Sequence, residues 1–188
     1  MIRVGVRGSK LALAYAEKAV TAIGTGEVVI IKTLGDLNPD TPIHEIGGKG
    51  VFCSAIEEQL LNRNIDVAVH SLKDMPGDIE HPDLVVGAYL ERSSPYDVIL
   101  GKVFNGSTIG TSSPRRTQQL LDLYGYMNVK IKHIRGNIDT RLAKLDAGEF
   151  DALVLAEAGL QALSIARTTS RLPIVPAVGQ GTIALQCR

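Results

Sequence analysis

The sequence predicts an α/β fold in two domains, and three observations carry that expectation. Short β-like apolar runs alternate with segments spaced for amphipathic helices. Two such series succeed one another, separated at Glu91–Pro95, where the chain can leave a first domain. A Pro- and Gly-punctuated stretch, Pro173–Gly181, then precedes one last strand. The expected domains are residues 1–92 plus 178–188 and residues 97–173, with an interdomain cleft. Strand–helix alternation also implies largely parallel sheets.

In the first series, Ile2–Val6 is expected as a strand and Leu11–Ile23 as a helix capped by Ser9. Val28–Thr33 comes next as a strand, and Leu34–Gly48 as a long polar loop. Lys49–Leu61 is expected to be helical, with Phe52, Ile56 and Leu60 on one stripe. Asp66–Val69 is a short strand running into His70-Ser71-Leu72-Lys73-Asp74-Met75-Pro76, where the proline blocks simple continuation. An apolar run, Leu84–Tyr89, closes the series.

In the second series, Thr108–Gly110 and Val129–Ile134 are expected strands and Pro114–Leu123 a helix. Ile138–Leu145 is a helix with Asn137 as its N-cap and Gly148 as its stop. Ala152–Ala156 is an apolar strand, and Thr182–Gln186 is the last strand of the chain.

Composition narrows the function classes. Hydrophobic residues make up 45% and charged residues 21%, which allows a buried core and argues against wholesale disorder. The formal net charge is zero, so neither a nucleic acid nor a membrane is an expected partner. The N-terminus lacks the apolar stretch of a signal peptide, and there is no 18-residue apolar run. Cys53 and Cys187 form neither a metal spacing nor a disulfide framework, so a cytoplasmic protein with reduced thiols is expected. Histidines 44, 70, 81 and 133 lack metal-site spacing; each is read as structural, and no metal is expected.

Four basic clusters sit near predicted strand ends or helix starts: Arg7-Gly8-Ser9-Lys10, Gly47-Gly48-Lys49-Gly50, Thr111-Ser112-Ser113-Pro114-Arg115-Arg116, and Arg135-Gly136-Asn137 with Arg141 one turn on. Helix N-termini favour anions, and arginine grips carboxylate or phosphate with a planar fork. One such cluster is ordinary surface charge. Four at equivalent topological positions predict a small polyanionic ligand, carboxylate or phosphate. Neither a Walker A loop nor a dinucleotide fingerprint is present, which disfavours a nucleotide. Lys73 and Asp74 come directly after a predicted buried strand. An ionised Asp74 among cations would stabilise a cation on the ligand or hold a protonated amine, its plain alternative being a structural turn.

Taken together, these segments resemble the porphobilinogen deaminase (hydroxymethylbilane synthase) family. Six collinear motifs carry the resemblance: Arg7-Gly-Ser-Lys-Leu-Ala-Leu13, Gly47-Gly-Lys-Gly-Val-Phe52, Val69-His-Ser-Leu-Lys-Asp-Met-Pro76, Gly110-Thr-Ser-Ser-Pro-Arg-Arg116, Arg135-Gly-Asn-Ile-Asp-Thr-Arg141 and Pro176-Ala-Val-Gly-Gln-Gly181. The resemblance implies two α/β domains of periplasmic-binding-protein type II-like topology, followed in the family by a third α+β domain that these 188 residues lack. It implies a transferase of tetrapyrrole biosynthesis that condenses four porphobilinogen units head to tail into hydroxymethylbilane, releasing ammonia.

The resemblance also assigns roles. Asp74 is the implied catalytic carboxylate. Lys73, Ser71, Asp36, Arg115, Arg116, Ser113, Thr111 and Arg135 are implied contacts of a dipyrromethane cofactor. Arg7, Ser9, Phe52, Arg135, Arg141 and Gln180 are implied contacts of substrate. Expected partners are porphobilinogen and linear oligopyrroles. The family anchors its cofactor on a third-domain cysteine, and neither Cys53 nor Cys187 matches that position. The chain is therefore expected to be a fragment, to borrow a separately supplied third domain, or to hold its pyrrole chain non-covalently. Leu34 and Glu45 also stand where the family often has an arginine and a lysine. The alternative function is a non-enzymatic two-domain binder of carboxylated pyrroles or other small anions.

Overall fold

The computed structural model describes residues 1–37, 50–77 and 81–188. The chain divides into two compact units, Met1–Ser93 with Val178–Arg188, and Ser94–Ala177.

Unit 1 is built on a five-stranded sheet of order β2-β1-β3-β10-β4. Its strands are β1 (Arg3–Arg7), β2 (Glu27–Ile31), β3 (Val67–Ser71), β4 (Val85–Tyr89) and the returning β10 (Ile183–Cys187). β1 pairs in parallel with β2 and β3, whereas β10 runs antiparallel to both β3 and β4. Its helices are α1 (Lys10–Ile23), the short α2 (Leu34–Leu37) and α3 (Ser54–Leu61).

Strand alternation sends side chains to both faces. Val4, Val6 and Val69 pack with Ala16 and Ala19 of α1, while Ala68 packs with Ile56, Leu60 and Ile65 on the α3 side. Full burial of valines such as Val4 and Val6 is worth roughly 1.5–3 kcal/mol each. The small alanines let α1 lie close to the sheet. Ser9 caps α1 as expected, its Oγ accepting from the Ala12 amide at 3.2 Å.

Unit 2 repeats the scheme. Its sheet has the order β7-β6-β8-β5-β9, with β5 (Asp97–Gly101), β6 (Thr108–Gly110), β7 (Lys130–Lys132), β8 (Ala152–Ala156) and β9 (Ser170–Arg171). β6 pairs in parallel with β7 and β8, and β5 runs antiparallel to β8 and β9. The helices are α4 (Pro114–Tyr124), α5 (Ile138–Asp146) and α6 (Glu157–Ala162). In both sheets three parallel strands are followed by one antiparallel strand and an edge strand. The antiparallel strand is the first after the chain leaves unit 1 (β5) or the last after it returns (β10).

The structure corrects several expectations. The sheets are mixed rather than largely parallel, because β5 and β10 enter against the direction of their neighbours. β5, α6 and β9 are additional to the expected elements. α3 starts at Ser54, not Lys49: Gly50 holds φ at +83°, outside the helical region, and Lys49 lies outside the described residues. Leu34–Leu37 is helical rather than loop; residues 38–48 of that expected loop are not among the described ones. Asn137 occupies the N-cap of α5, but its side chain makes no capping bond. Among the described residues, no helix is long and apolar enough to cross a membrane.

Candidate functional site

Three parallel strands of unit 1 end side by side, and each leads into a chemically distinctive segment. β1 ends at Arg7 and leads to Ser9, β2 leads to Thr33 and Asp36, and β3 leads through Ser71 into a single 3-10 turn, Leu72–Asp74. Beyond the carboxyl ends of parallel strands is where α/β sheets place ligands. A cavity of about 70 Å³ lies there, lined by Arg7, Ser9, Tyr15, Phe52, Cys53, His70, Ser71 and Asp74 together with apolar side chains.

Arg7 is held from two sides. Its Nη2 donates to Asp36 Oδ1 at 2.5 Å, and its guanidinium lies 4.0 Å from the centroid of the Phe52 ring. Asp36 also accepts from the Thr33 hydroxyl at 2.8 Å and its amide at 3.2 Å. Burial pushes the Asp36 carboxyl up, but the bonds from Arg7 and Thr33 together outweigh it and hold the group below its ordinary value. Phe52 packs against Gly35, where an added Cβ would fall 2.0 Å from a ring carbon. Glycine at 35 is thus what lets an aromatic ring cover the arginine.

Asp74 is exposed and makes no hydrogen bond or ion pair through its carboxylate with a described residue. The turn that carries it is fixed by its backbone. The Leu72 amide donates to the Thr182 carbonyl at 3.0 Å, and the Cys53 thiol donates to the Asp74 carbonyl at 3.5 Å. Lys73 points elsewhere: its Nζ donates to Gln180 Oε1 at 3.4 Å, and the Gln180 carbonyl in turn accepts from Arg92 Nε at 3.0 Å. Gln180 is 1% exposed, so it supports Lys73 from beneath.

A buried polar chain runs behind the cavity. His70 Nε2 lies 3.0 Å from Gln186 Oε1, and Gln186 Nε2 donates to Glu57 Oε1 at 2.9 Å. Burial lowers the His70 pKa to about 4, against the opposing pull of Gln186 and Asp74, so the ring is neutral at pH 7. Burial, reinforced by the Asp74 charge, pushes the Tyr15 phenol up to about 12.

In unit 2 the predicted residues lie beyond the parallel strands β6 and β7. Ser113 caps α4 by accepting from the Arg116 amide at 3.3 Å, with Pro114 in the first turn. Thr111 is buried, its Oγ1 accepting from the Ser113 amide. Arg116 donates through Nε and Nη2 to Asp97 Oδ1 at 3.0 and 2.6 Å, and through Nη1 to the Val154 carbonyl at 3.0 Å. Arg115 Nη2 donates to the other oxygen of Asp97 at 2.7 Å. Asp97 and the Arg116 side chain are 0% and 9% exposed; the Arg115 side chain is 27% exposed and is the more open of the two arginines. Arg141 folds back on the Gly136 carbonyl at 2.7 Å, and Arg135 is half-buried in the loop after β7.

The predicted residues therefore gather as two sets. Arg7, Ser9, Phe52, Ser71 and Asp74 surround the unit 1 cavity, with Asp36, Lys73 and Gln180 beside them; Thr111, Ser113, Arg115, Arg116, Arg135 and Arg141 belong to unit 2. Gly47, Gly48 and Lys49 lie outside the described residues. Sequence reasoning missed Tyr15, the Asp97 clamp and the Glu57–Gln186–His70 chain. Tyr15 was findable, being one helical turn from Leu11 on the face that starts at the Ser9 cap.

Cys53 does not suit a thioether anchor. Cys53 is 1% exposed, and burial, with Glu57 and Asp74 nearby, pushes its thiol up to about 12. Cys187 lies on β10, where a Cβ on Gly87 would come 3.1 Å from its Sγ. Among the described residues, no group of three or more His, Cys, Asp and Glu could hold a metal ion.

Strand order and site position define the class first: an α/β protein of two periplasmic-binding-protein-type units. The solved structure of a nutrient-binding protein from Burkholderia cenocepacia bound to methionine matches with a TM-score of 0.54 at 14% identity, covering 100% of this chain and 85% of that one. The second substrate-binding domain of a putative amino acid ABC transporter from Streptococcus pneumoniae also gives 0.54 at 13% identity, covering 99% and 84%. At such identities the likeness is one of fold.

Residues 2–188 match the family model described as "Porphobilinogen deaminase, dipyromethane cofactor binding domain". The porphobilinogen deaminases of Ehrlichia canis and Orientia tsutsugamushi are 43% and 44% identical over all of this chain, which covers 67% and 68% of them. A probable porphobilinogen deaminase of Methanococcoides burtonii is 40% identical over 98% of the chain, which covers 63% of it. The chain belongs to the porphobilinogen deaminase family, and it spans about two thirds of the length of these relatives.

Proposed function

We propose that the chain provides the binding and catalytic units of a cytoplasmic transferase that joins four porphobilinogen molecules head to tail into hydroxymethylbilane, with release of ammonia. The observation that carries this reading is Asp74. A carboxylate that pairs with none of the described residues stands at the carboxyl end of β3 in a cavity beside an aromatic-covered arginine. A simple carboxylate receptor has little use for an acid there, whereas a reaction that generates a cation requires one.

In this reaction the C–N bond of the protonated aminomethyl arm breaks and its electron pair leaves as ammonia. The pyrrole nitrogen's lone pair compensates, and a methylene-bearing pyrrole cation remains. Asp74 supplies the counter-charge without reorganising, because its turn is pinned by Thr182 and Cys53. The α-carbon of a second pyrrole attacks the methylene, forming the C–C bond. The α-proton then passes to Asp74 and on to ammonia, and after the fourth unit the bond to the primer breaks and water adds to the released methylene cation, giving the hydroxymethyl group.

A bound dipyrromethane supplies the primer on which chain growth starts. Ser71, Lys73 and Asp36 in unit 1, and Thr111, Ser113, Arg115, Arg116 and Arg135 in unit 2, are the residues that would hold it. Arg115 offers the more exposed fork, with Arg116 acting through Asp97 to position it. Cys53 is buried and strongly protonated, so the contacts that these two units make with the primer are charge pairs and hydrogen bonds. Arg7, Ser9, Phe52, Arg135, Arg141 and Gln180 serve the incoming substrate.

The test is porphobilinogen consumption and ammonia release by the purified chain, with its denatured intact mass recorded. Turnover with an unmodified mass is expected, and Asp74→Ala should abolish turnover while leaving pyrrole binding largely intact. Turnover retained in Asp74→Ala would overturn the catalytic role. Binding without turnover in the parent chain would favour a non-enzymatic carboxylate binder.

A further inference from the structure

Two loops of unit 2 carry most of its proposed binding residues: the one after β6, with Thr111 and Ser113 leading to Arg115, and the one after β7, with Arg135. They are joined by Ser112, which is none of the proposed contacts. β6 and β7 pair in parallel from Thr108 with Lys130 to Gly110 with Lys132, and the Thr111 amide adds one bond to the Lys132 carbonyl at 3.1 Å. Beyond that point the Ser112 hydroxyl takes over from the backbone. It accepts from the Ile134 amide at 3.2 Å and donates to the Ile134 carbonyl. One hydroxyl can do both, being a donor and an acceptor at once. The side chain thus adds a rung without holding its own backbone in the ladder, so Ser113 can cap α4 and Arg115 can stand in the first turn.

Arg135 is therefore gripped on both sides along the chain. Before it, Ser112 takes both backbone groups of Ile134, whose side chain is buried with Phe150 and Leu153. After it, the Gly136 carbonyl accepts from Arg141 Nε at 2.7 Å. Gly136 itself holds φ at +107°, where an added Cβ would fall 2.9 Å from the Thr140 Cβ. Buried backbone groups need partners. Among the described strands β7 is an edge strand paired with β6, so the chain just after β6 is well placed to serve Ile134. Alanine at 112 would leave both groups without the partner they have.

We infer that Ser112 is a positioning residue: it fixes the backbone from which Arg135 reaches the ligand, and sets the two anion-binding loops of unit 2 as one piece. This deepens the function proposed above and rests on it for the role of Arg135 as a contact of pyrrole carboxylates. A planar guanidinium fork grips a carboxylate only within a narrow range of angles. A loose loop would have to be ordered at every binding event, which weakens affinity; Ser112 orders it in the free protein.

The experiment compares the full chain with Ser112→Ala, Ser112→Thr, Arg135→Ala, and Ser112→Ala combined with Arg135→Ala. 15N relaxation of the Arg135 amide reads the positioning with no ligand present. An order parameter near about 0.85 is expected in the parent and in Ser112→Thr, which keeps the hydroxyl, and one below about 0.6 in Ser112→Ala. In porphobilinogen kinetics Ser112→Ala should raise KM roughly fivefold with kcat within about twofold, the mark of lost uniform binding. Ser112→Thr should restore the parent KM. With Arg135→Ala already present, Ser112→Ala should raise KM no further, because the serine acts through that arginine. A KM rise of the same size with and without Arg135, or an Arg135 amide as ordered in Ser112→Ala as in the parent, would overturn the inference. A parent chain that consumes no porphobilinogen would instead count against the proposed reaction, and the relaxation comparison then decides the role of Ser112 by itself. Should Ser112→Ala not fold, Ser112→Cys, a weaker donor and acceptor, is measured in its place against the same expectations.

Discussion

Asp97→Asn is the substitution that most directly tests how unit 2 holds its arginines. The carboxylate is fully buried and binds two guanidinium groups, Arg116 at 2.6 Å and Arg115 at 2.7 Å. Arg115 has 27% of its side chain exposed and can turn to water when the pair is broken. Arg116 has 9% and cannot, so most of the cost falls on one buried cation that has lost its carboxylate. Breaking a buried pair from one side costs about 3–5 kcal/mol. Asparagine keeps the shape and one accepting oxygen for Arg116, which puts this variant near the lower end, about 3 kcal/mol. In urea, with a slope of about 1–3 kcal/mol per molar, that is a midpoint lowered by roughly 1–3 M. The assay is urea unfolding followed by far-ultraviolet circular dichroism on the parent, Asp97→Asn, and Asp97→Asn combined with Arg116→Met. The double variant removes the buried charge along with its carboxylate and should recover most of the loss. A single-variant loss below about 1 kcal/mol, or a double variant no better than the single, would refute the view that Arg116 is held chiefly as Asp97's buried partner.

The unit 1 geometry sets two further outcomes. Gly35→Ala places a Cβ 2.0 Å from the Phe52 ring, so the ring must leave Arg7; melting should show a loss of about 1–3 kcal/mol, and porphobilinogen kinetics a raised KM. Folded His70 titrates near 4 instead of 6.5, so the unfolded chain binds its proton first. Stability should be full above pH 6.5 and fall as the pH drops towards 4, by up to about 3 kcal/mol. Thermal melts of parent and His70→Asn across that window should differ by this slope.

How far the sequence could be read depended on whether a residue's role was local. Ser9 and Ser113 were legible as caps because capping is decided within three residues, and the Val4, Val6 and Ala152–Ala156 runs because burial on a strand leaves an apolar signature. β5 was illegible because its first residue is charged. Asp97 looks like a surface acid until Arg115 and Arg116, 18 and 19 residues later, fold onto it. His70 and Gln186 meet across 116 residues, and no local pattern announces that pairing. The motif residues around Asp74 could be named from resemblance. Which of them are spent on each other, as Arg7 is on Asp36, needed coordinates.

The long separations in unit 1 share one cause, the return of the chain to that unit after unit 2. β10 enters unit 1 only after the chain has passed through all of unit 2, and it inserts between β3 and β4. It and the segment leading to it bring three supports to residues 70–74: Gln186 for His70, the Thr182 carbonyl for Leu72, and Gln180 for Lys73. β1, β3, α1 and the segments beyond β1, β2 and β3 contain most of the proposed catalytic and binding side chains of unit 1. Without this returning segment, however, His70 loses its hydrogen-bond partner Gln186, and Lys73 loses Gln180. Closing a loop of more than a hundred residues adds little free energy over closing a shorter one, since the entropic cost grows only logarithmically. It does make the cavity depend on contacts between residues more than a hundred positions apart in sequence. The site in unit 1 is thus formed together with the pairing that closes the chain, which couples the geometry around Asp74 to the folding of residues that never approach it in sequence.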